Sequence, residues 1–159
     1  VKEALFSILG PVSDADVLDL FAGTGALGIE ALSRGARSCT FVEVQRPALV
    51  ALRQNLVNCA LQAESQVLPL RVERTLTTAP WGASAFDLIL IDPPYADTRG
   101  GRFSPSLAVP IATGLSPALR PTGRVVLEHA ASELAPAIPP LALASTRKYG
   151  DTALSFYVY

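Results

Sequence analysis

Short runs rich in Val, Leu, Ile and Phe alternate along this chain with stretches of helical periodicity, and that alternation leaves few folds open. The strand-like runs lie at 17–21, 40–44, 67–72, 86–91 and 123–128. Helical patterns fill 26–33 and 47–59, with a weaker one near 106–115, and residues 1–9 also carry apolar side chains at helical spacing. Gly35 suits the position just past the 26–33 helix, and Pro47 suits the first turn of the next. Strands that are apolar throughout must be covered on both faces, so the pattern predicts a parallel sheet between two layers of helix. The end of the chain differs: 141–147 and 153–159 flank Lys148-Tyr149-Gly150-Asp151-Thr152, which predicts an antiparallel hairpin. The expected fold is therefore α/β and Rossmann-like. It is a single domain over 1–159, with a seven-stranded, mostly parallel sheet, helices on both faces and one antiparallel strand from the hairpin.

The 86–91 run ends in Asp92-Pro93-Pro94-Tyr95. A buried strand there delivers a carboxylate, a rigid backbone carbonyl and an aromatic face to one point. Proline fixes φ and has no N–H, so its carbonyl can be held toward a ligand without a competing donor. The combination suits a flat ring with an exocyclic amine. Asp92 and the Pro93 carbonyl accept its two N–H groups, Pro94 stiffens the turn, and Tyr95 stacks on the ring. An ordinary strand terminator with a surface tyrosine has the same spelling, so the tetrapeptide gains weight from what precedes it.

That is the strand, turn and helix start at 17–28, where Gly23-Thr24-Gly25-Ala26-Leu27-Gly28 matches the dinucleotide pattern G-x-G-x-x-G and Glu43 ends the next strand. Asp19 discriminates between cofactors. A carboxylate beside the loop repels a pyrophosphate but attracts the ammonium and sulfonium of S-adenosylmethionine. Glu43 is placed to accept both ribose hydroxyls. Glu73, after the third strand, is placed near an adenine amino group, although Arg71 and Arg74 offer it surface ion pairs instead. The expected cofactor contacts are Asp19, Phe21, Ala22, Gly23, Thr24, Gly25, Leu27, Gly28, Glu43, Val44, Glu73 and Arg74, with Asp92 shared with the substrate.

Composition closes off other classes. Half of the residues are hydrophobic and 17% are charged, which opposes disorder. No apolar run reaches the roughly 20 residues of a membrane helix. Cys39 and Cys59, with the lone His129, are too few for a zinc site, and both cysteines read as small buried hydrophobes. The net charge of −1 decides nothing about nucleic acid, and the pairs Arg34 with Arg37, Arg99 with Arg102, and Arg147 with Lys148 read as solvated surface or phosphate contacts. The chain opens on Val1 with a helical pattern and no cap, as a piece whose natural N-terminus is missing would.

Taken together, the chain resembles class I methyltransferases that modify exocyclic amines, and within them the RsmD family of bacterial small-subunit rRNA guanine-N2 methyltransferases. The resemblance is carried by Lys2-Glu3-Ala4-Leu5-Phe6, by the stretch from Leu18 through Gly28 into Ile29-Glu30-Ala31-Leu32-Ser33-Arg34-Gly35-Ala36, and by Phe41-Val42-Glu43 and Asn55-Leu56. Asp87 through Tyr95 and Arg147-Lys148-Tyr149-Gly150-Asp151-Thr152 complete it. It implies methyl transfer from S-adenosylmethionine, leaving S-adenosylhomocysteine, to a guanine N2 in 16S rRNA within an assembled small subunit. It also implies a cytoplasmic, monomeric enzyme with no metal. Asp92 and Pro93 would hold the amine as charge develops on it, and positioning would matter more than proton abstraction. The target base would be flipped out or lie in a loop. The glycine-rich, basic segment 96–103 would cover the substrate mouth, with Arg99 and Arg102 near phosphates. The family's segment before the first helix, a basic hairpin with an Arg-Pro-Thr stretch, has no counterpart here. Alternatives compatible with the motifs are an N6-adenine or protein-glutamine methyltransferase, an NAD-binding oxidoreductase, and a non-catalytic assembly factor.

Overall fold

The computed structural model describes residues 1–94 and 97–159; Tyr95, the expected stacking residue, and Ala96 lie outside the described residues. Seven strands form one sheet: β1 (Asp16–Leu20), β2 (Ser38–Val42), β3 (Ser65–Leu68), β4 (Phe86–Ile91), β5 (Leu119–Ala130), β6 (Ala142–Tyr149) and β7 (Thr152–Val158). Their order is β3-β2-β1-β4-β5-β7-β6. β1 to β5 pair in parallel, and β7 runs antiparallel to both β5 and β6, so the hairpin supplies the one reversed strand. This is the Rossmann-like arrangement expected from the sequence.

The apolar strands alternate their side chains between two cores. On one face Val17, Leu88, Leu90, Val126 and Leu154 meet α1 (Lys2–Leu9), α2 (Ala26–Ser33) and α3 (Arg46–Asn58). On the other, Leu18, Leu20, Ile89, Ile91, Val125 and Leu127 meet α4 (Val72–Thr78) and α5 (Pro105–Pro110), which continues through a π-helical turn at Ile111–Leu115 into α6 (Ser116–Ala118). Each helix follows its burial stripe. Leu5, Phe6 and Leu9 face inward from α1, and Leu49, Leu52 and Leu56 from α3.

Boundaries moved where a local interaction overrode the apolar pattern. β3 stops at Leu68, because Pro69 has no N–H for the ladder, and Val72, Thr75 and Leu76 turn inward on α4, a helix absent from the sequence reading. β2 stops at Val42, because the Glu43 carboxylate turns back onto the next two backbone N–H groups. β5 begins at Leu119, with a shift of register against β4 between Phe86 and Leu88. Cys39 is buried, but Cys59 is exposed, contrary to the expectation for both: it caps α3 just beyond the Leu49, Leu52, Leu56 stripe. Among the described residues no helix is long and apolar enough to cross a membrane, and no group of three or more His, Cys, Asp or Glu could hold a metal.

At the N-terminal pole of the sheet Asp16 accepts from Ser38 at 2.7 Å and from Arg120 at 2.9 Å, and also pairs with Arg37; Arg120 bridges on to Asp87 at 2.6 Å. These partners, the Arg37 guanidinium first, hold the Asp16 carboxyl far below the usual carboxylate range. They tie β1, β4 and β5 together at the end away from the loop.

α2 approaches the sheet closely at Gly28. A Cβ added there would lie 2.4 Å from the Phe41 ring and 2.7 Å from the Cys39 sulfur, inside van der Waals contact. Gly28→Ala is therefore expected to push α2 off the sheet and cost about 1–3 kcal/mol, the range for overpacking a filled core. Denaturant unfolding of the variant beside wild type checks this; a change within error would show that the layer is loosely packed.

Candidate active site

The strand order itself makes the site. From β1 the chain builds outward to β2 and β3 on one side, then returns to build β4 and β5 on the other. The connections therefore part company at the C-terminal ends of β1 and β4, where an open α/β sheet leaves a crevice. A cleft of about 550 Å³ lies there, within the roughly 300–1,000 Å³ of small-molecule sites. Phe21, Glu43, Val44, Leu70, Arg71, Glu73, Asp92, Pro93, Pro94, Asp97 and Glu128 are among its lining residues.

The glycine loop forms one edge. Phe21 ends β1 with φ of 58°, a left-handed value uncommon outside glycine, and Gly25 follows at φ 90° as the residue capping α2. Asn55 of α3 donates to the Thr24 carbonyl at 2.9 Å and pins the loop's apex. Two loop amides point at carboxylates of the protein itself. Gly23 N–H donates to Glu43 Oε1 at 2.8 Å, and Gly28 N–H donates to Asp19 Oδ2 at 3.0 Å. The other Glu43 oxygen accepts from Val44 N–H at 2.9 Å and Gln45 N–H at 2.8 Å. Glu43 thus latches the first loop to the start of α3, and Asp19 caps the N-terminal turn of α2 from the neighbouring strand.

Asp19 is 1% exposed. Burial pushes its carboxyl up to about 7, the Gly28 N–H pulls it down, and the Asp92 and Glu43 charges push it up again. Asp92 follows β4, its N–H directed to the Leu20 carbonyl, and its side chain opens on the cleft. Desolvation against the strand ends and then the Glu128 charge push its carboxyl up to about 7. Glu128, half-buried on β5, is itself raised by burial. The cleft wall holds Glu43, Glu73, Asp92, Asp97 and Glu128 against the single cation Arg71, so its field favours a positively charged ligand.

Of the residues expected at a site, the structure brings Phe21, Glu43, Val44, Glu73, Asp92, Pro93 and Pro94 to the cleft wall. Ala22, Gly23, Thr24, Gly25 and Gly28 form the loop and helix start beside it, Asp19 lies buried beneath, and Leu27 packs on the α1–α3 core. Arg74 is not on the cleft wall, and among the described residues Glu73 pairs with neither Arg71 nor Arg74. Asp97 of the 96–103 segment lines the cleft, and its carbonyl accepts from Ser104 N–H at 2.7 Å. Val42, Gln45, Leu70, Arg71, Val72 and Glu128 were not anticipated as site residues, whereas Asp97 belongs to the segment expected over the substrate mouth. Glu128 carried a usable signal: it is an acid at the end of an apolar parallel strand, like Asp19, Glu43 and Asp92.

Comparison with known proteins agrees with this fold. The family model described as "Conserved hypothetical protein 95" matches residues 1–158. A Bacillus subtilis protein, YlbH, named as a candidate rRNA methyltransferase, is 35% identical over 159 residues, covering 99% of this chain and 83% of that protein. The "Ribosomal RNA small subunit methyltransferase D" of Haemophilus influenzae is 35% identical over 96 residues, covering 60% of this chain and 50% of that protein, so the match spans half of its length. A solved structure of a conserved hypothetical protein from Streptococcus pyogenes superposes with a TM-score of 0.84 at 31% identity, covering 99% of this chain and 94% of the other.

The Asp19 carboxyl sets an expected pH dependence of stability. Its folded value is about 7 against an ordinary 3.8, so the folded state holds a proton between them. The resulting stabilisation is complete below about pH 4 and is lost as pH rises through about 7. Asp19→Asn keeps an acceptor for the Gly28 N–H and removes the charge. It should match wild type near pH 4 and exceed it at pH 8 by on the order of 2–4 kcal/mol. Urea unfolding at the two pH values checks this; a variant less stable than wild type at pH 8 would show that the buried charge is compensated.

Proposed function

The chain belongs to the RsmD family, whose model is the conserved hypothetical protein 95 description, and from that membership and the site we propose that it methylates the exocyclic N2 amine of a guanine in small-subunit ribosomal RNA, with S-adenosylmethionine as donor. The observation that carries this reading is the placement of Asp92, Pro93 and Pro94 at the end of β4, open to a cleft that Phe21, Glu43 and Glu73 also line.

The residues present fit the cofactor. The wall is acidic, and the Gly23 and Gly28 amides already donate to Glu43 and Asp19. A pyrophosphate would meet these carboxylates where it needs free N–H groups, which opposes the dinucleotide reading. Glu43 would hold the ribose, Phe21 and Val44 would flank it, and Glu73 would take the adenine amine. S-adenosylmethionine supplies an electrophilic methyl on a sulfonium. The chain's own part is to hold the nucleophile. The Asp92 carboxylate and the Pro93 carbonyl accept the two amine protons, localise the nitrogen lone pair and stabilise the positive charge that grows on it. The proton of the methylated amine then leaves to Asp92 or to water. Tyr95 would fix the plane of the base.

Supplied with labelled S-adenosylmethionine, the full-length enzyme should mark small subunits lacking the modification, and digestion should release N2-methylguanosine. Label in adenine, in DNA or in protein would replace this assignment. Asp92→Ala should lower kcat by about a hundredfold or more with little change in cofactor affinity. Near-normal turnover would rule out the amine clamp. Since Asp92 offsets the positive charge growing on the amine, and can take its proton, only as the carboxylate, kcat/KM should rise with pH and level off above about 7. Glu43→Ala should weaken S-adenosylhomocysteine by about 1–3 kcal/mol in calorimetry.

A further inference from the structure

Glu128 is not used by the mechanism above, yet it sits in the same cleft as Asp92. Ile91 of β4 pairs with Leu127 of β5 in parallel register, so the next residues, Asp92 just after β4 and Glu128 on β5, lie side by side. Neighbouring strands are about 4.8 Å apart, which brings both carboxyls within reach of one small planar ring. Glu128 is half-buried and makes no side-chain hydrogen bond or ion pair among the described residues. The sheet order also assigns it a side. The residues suited to the cofactor lie on β1, β2 and β3 or just after them, whereas β5 lies beyond β4 in the opposite direction. A group on β5 therefore faces whatever Asp92 holds, on the side away from the donor.

A guanine whose 2-amine is held by Asp92 and Pro93 presents its N1–H immediately beside that amine. Adenine and 2-aminopurine carry a lone pair at N1 instead. We propose that Glu128 is a specificity-determining residue, its carboxylate accepting the guanine N1–H while Asp92 and the Pro93 carbonyl hold the 2-amine. A purine with an unprotonated N1 then sets a lone pair against a carboxylate and leaves that acid without its hydrogen bond, the situation in which polar sites discriminate most strongly. The inference rests on the guanine-N2 reading and refines it.

The test uses full-length enzyme and small subunits rebuilt with RNA carrying either guanine or 2-aminopurine at the methylated position. Both bases offer a 2-amine; only guanine has an N1–H. Wild type should favour guanine by about a hundredfold or more in kcat/KM. Glu128→Gln introduces an amide that can donate to an N1 lone pair, so the preference should fall by about tenfold or more, partly through a gain on 2-aminopurine. Affinity for S-adenosylhomocysteine, measured by calorimetry, should stay within about twofold of wild type. N2-methylguanosine formed with no preference between the two bases in wild type, or with the same preference in Glu128→Gln, would overturn this inference alone. A loss of S-adenosylhomocysteine affinity in Glu128→Gln would move Glu128 to the cofactor and overturn it as well. A methylated nucleoside other than N2-methylguanosine would overturn the guanine reading and this inference together.

Discussion

The functional half of the molecule depends on how closely α2 lies against the sheet. Gly28 allows that approach, with the Phe41 ring and the Cys39 sulfur where a side chain would be, and Gly25 does the same against Leu52 of α3. The contact draws the first turn of α2 over the end of β1, so that the buried Asp19 carboxylate can accept the Gly28 N–H. Helix termini leave their first amides without partners, and here one of them is satisfied from outside the helix. The loop between is then held from two further directions, by Glu43 on the Gly23 N–H and by Asn55 on the Thr24 carbonyl. A loop fixed at three points gives Phe21 and Glu43 a defined wall to line.

The two poles of the sheet treat charge in opposite ways. At the N-terminal pole Asp16 and Asp87 are matched by Arg37 and Arg120, and the Asp16 carboxyl is lowered accordingly. At the C-terminal pole burial raises Asp19, Asp92 and Glu128, and neighbouring acids raise Asp19 and Asp92 further. A fold selected for stability alone would have little use for this second arrangement. It suits a positively charged ligand, whose charge would offset the repulsion among these acids. The matched pole ties β1, β4 and β5 together.

Most of this architecture was legible in the residues. Apolar runs at 17–21 and 86–91 could be placed as strands within a residue because burial on both faces demands continuous apolar side chains. The glycine loop, Glu43 and the Asp92-Pro93-Pro94 turn were found because each joins a strand end to a chemistry that one residue type supplies. Reading failed where a local interaction competed with the apolar pattern. The 67–72 run looked like one strand but is a strand broken by Pro69 and the start of α4. Cys59 looked like core because its neighbours are apolar, yet α3 ends just before it. Glu128 was seen as a strand terminus but not as a site residue, because nothing in its own neighbourhood of sequence says that β5 lies beside β4.

By itself the sequence determined the class of fold, the loop and the Asp92-Pro93-Pro94 turn, because these depend on periodicity, backbone freedom and side-chain chemistry within a dozen residues. Only the tertiary structure decided that Asp92 and Glu128 are neighbours, that Asp19 caps a helix from below the cleft, and that the loop amides are already taken by carboxylates. Those facts depend on strand order and on contacts between residues far apart in the chain. Neither is encoded in any local pattern; both follow from how the two helical layers close on a twisted sheet.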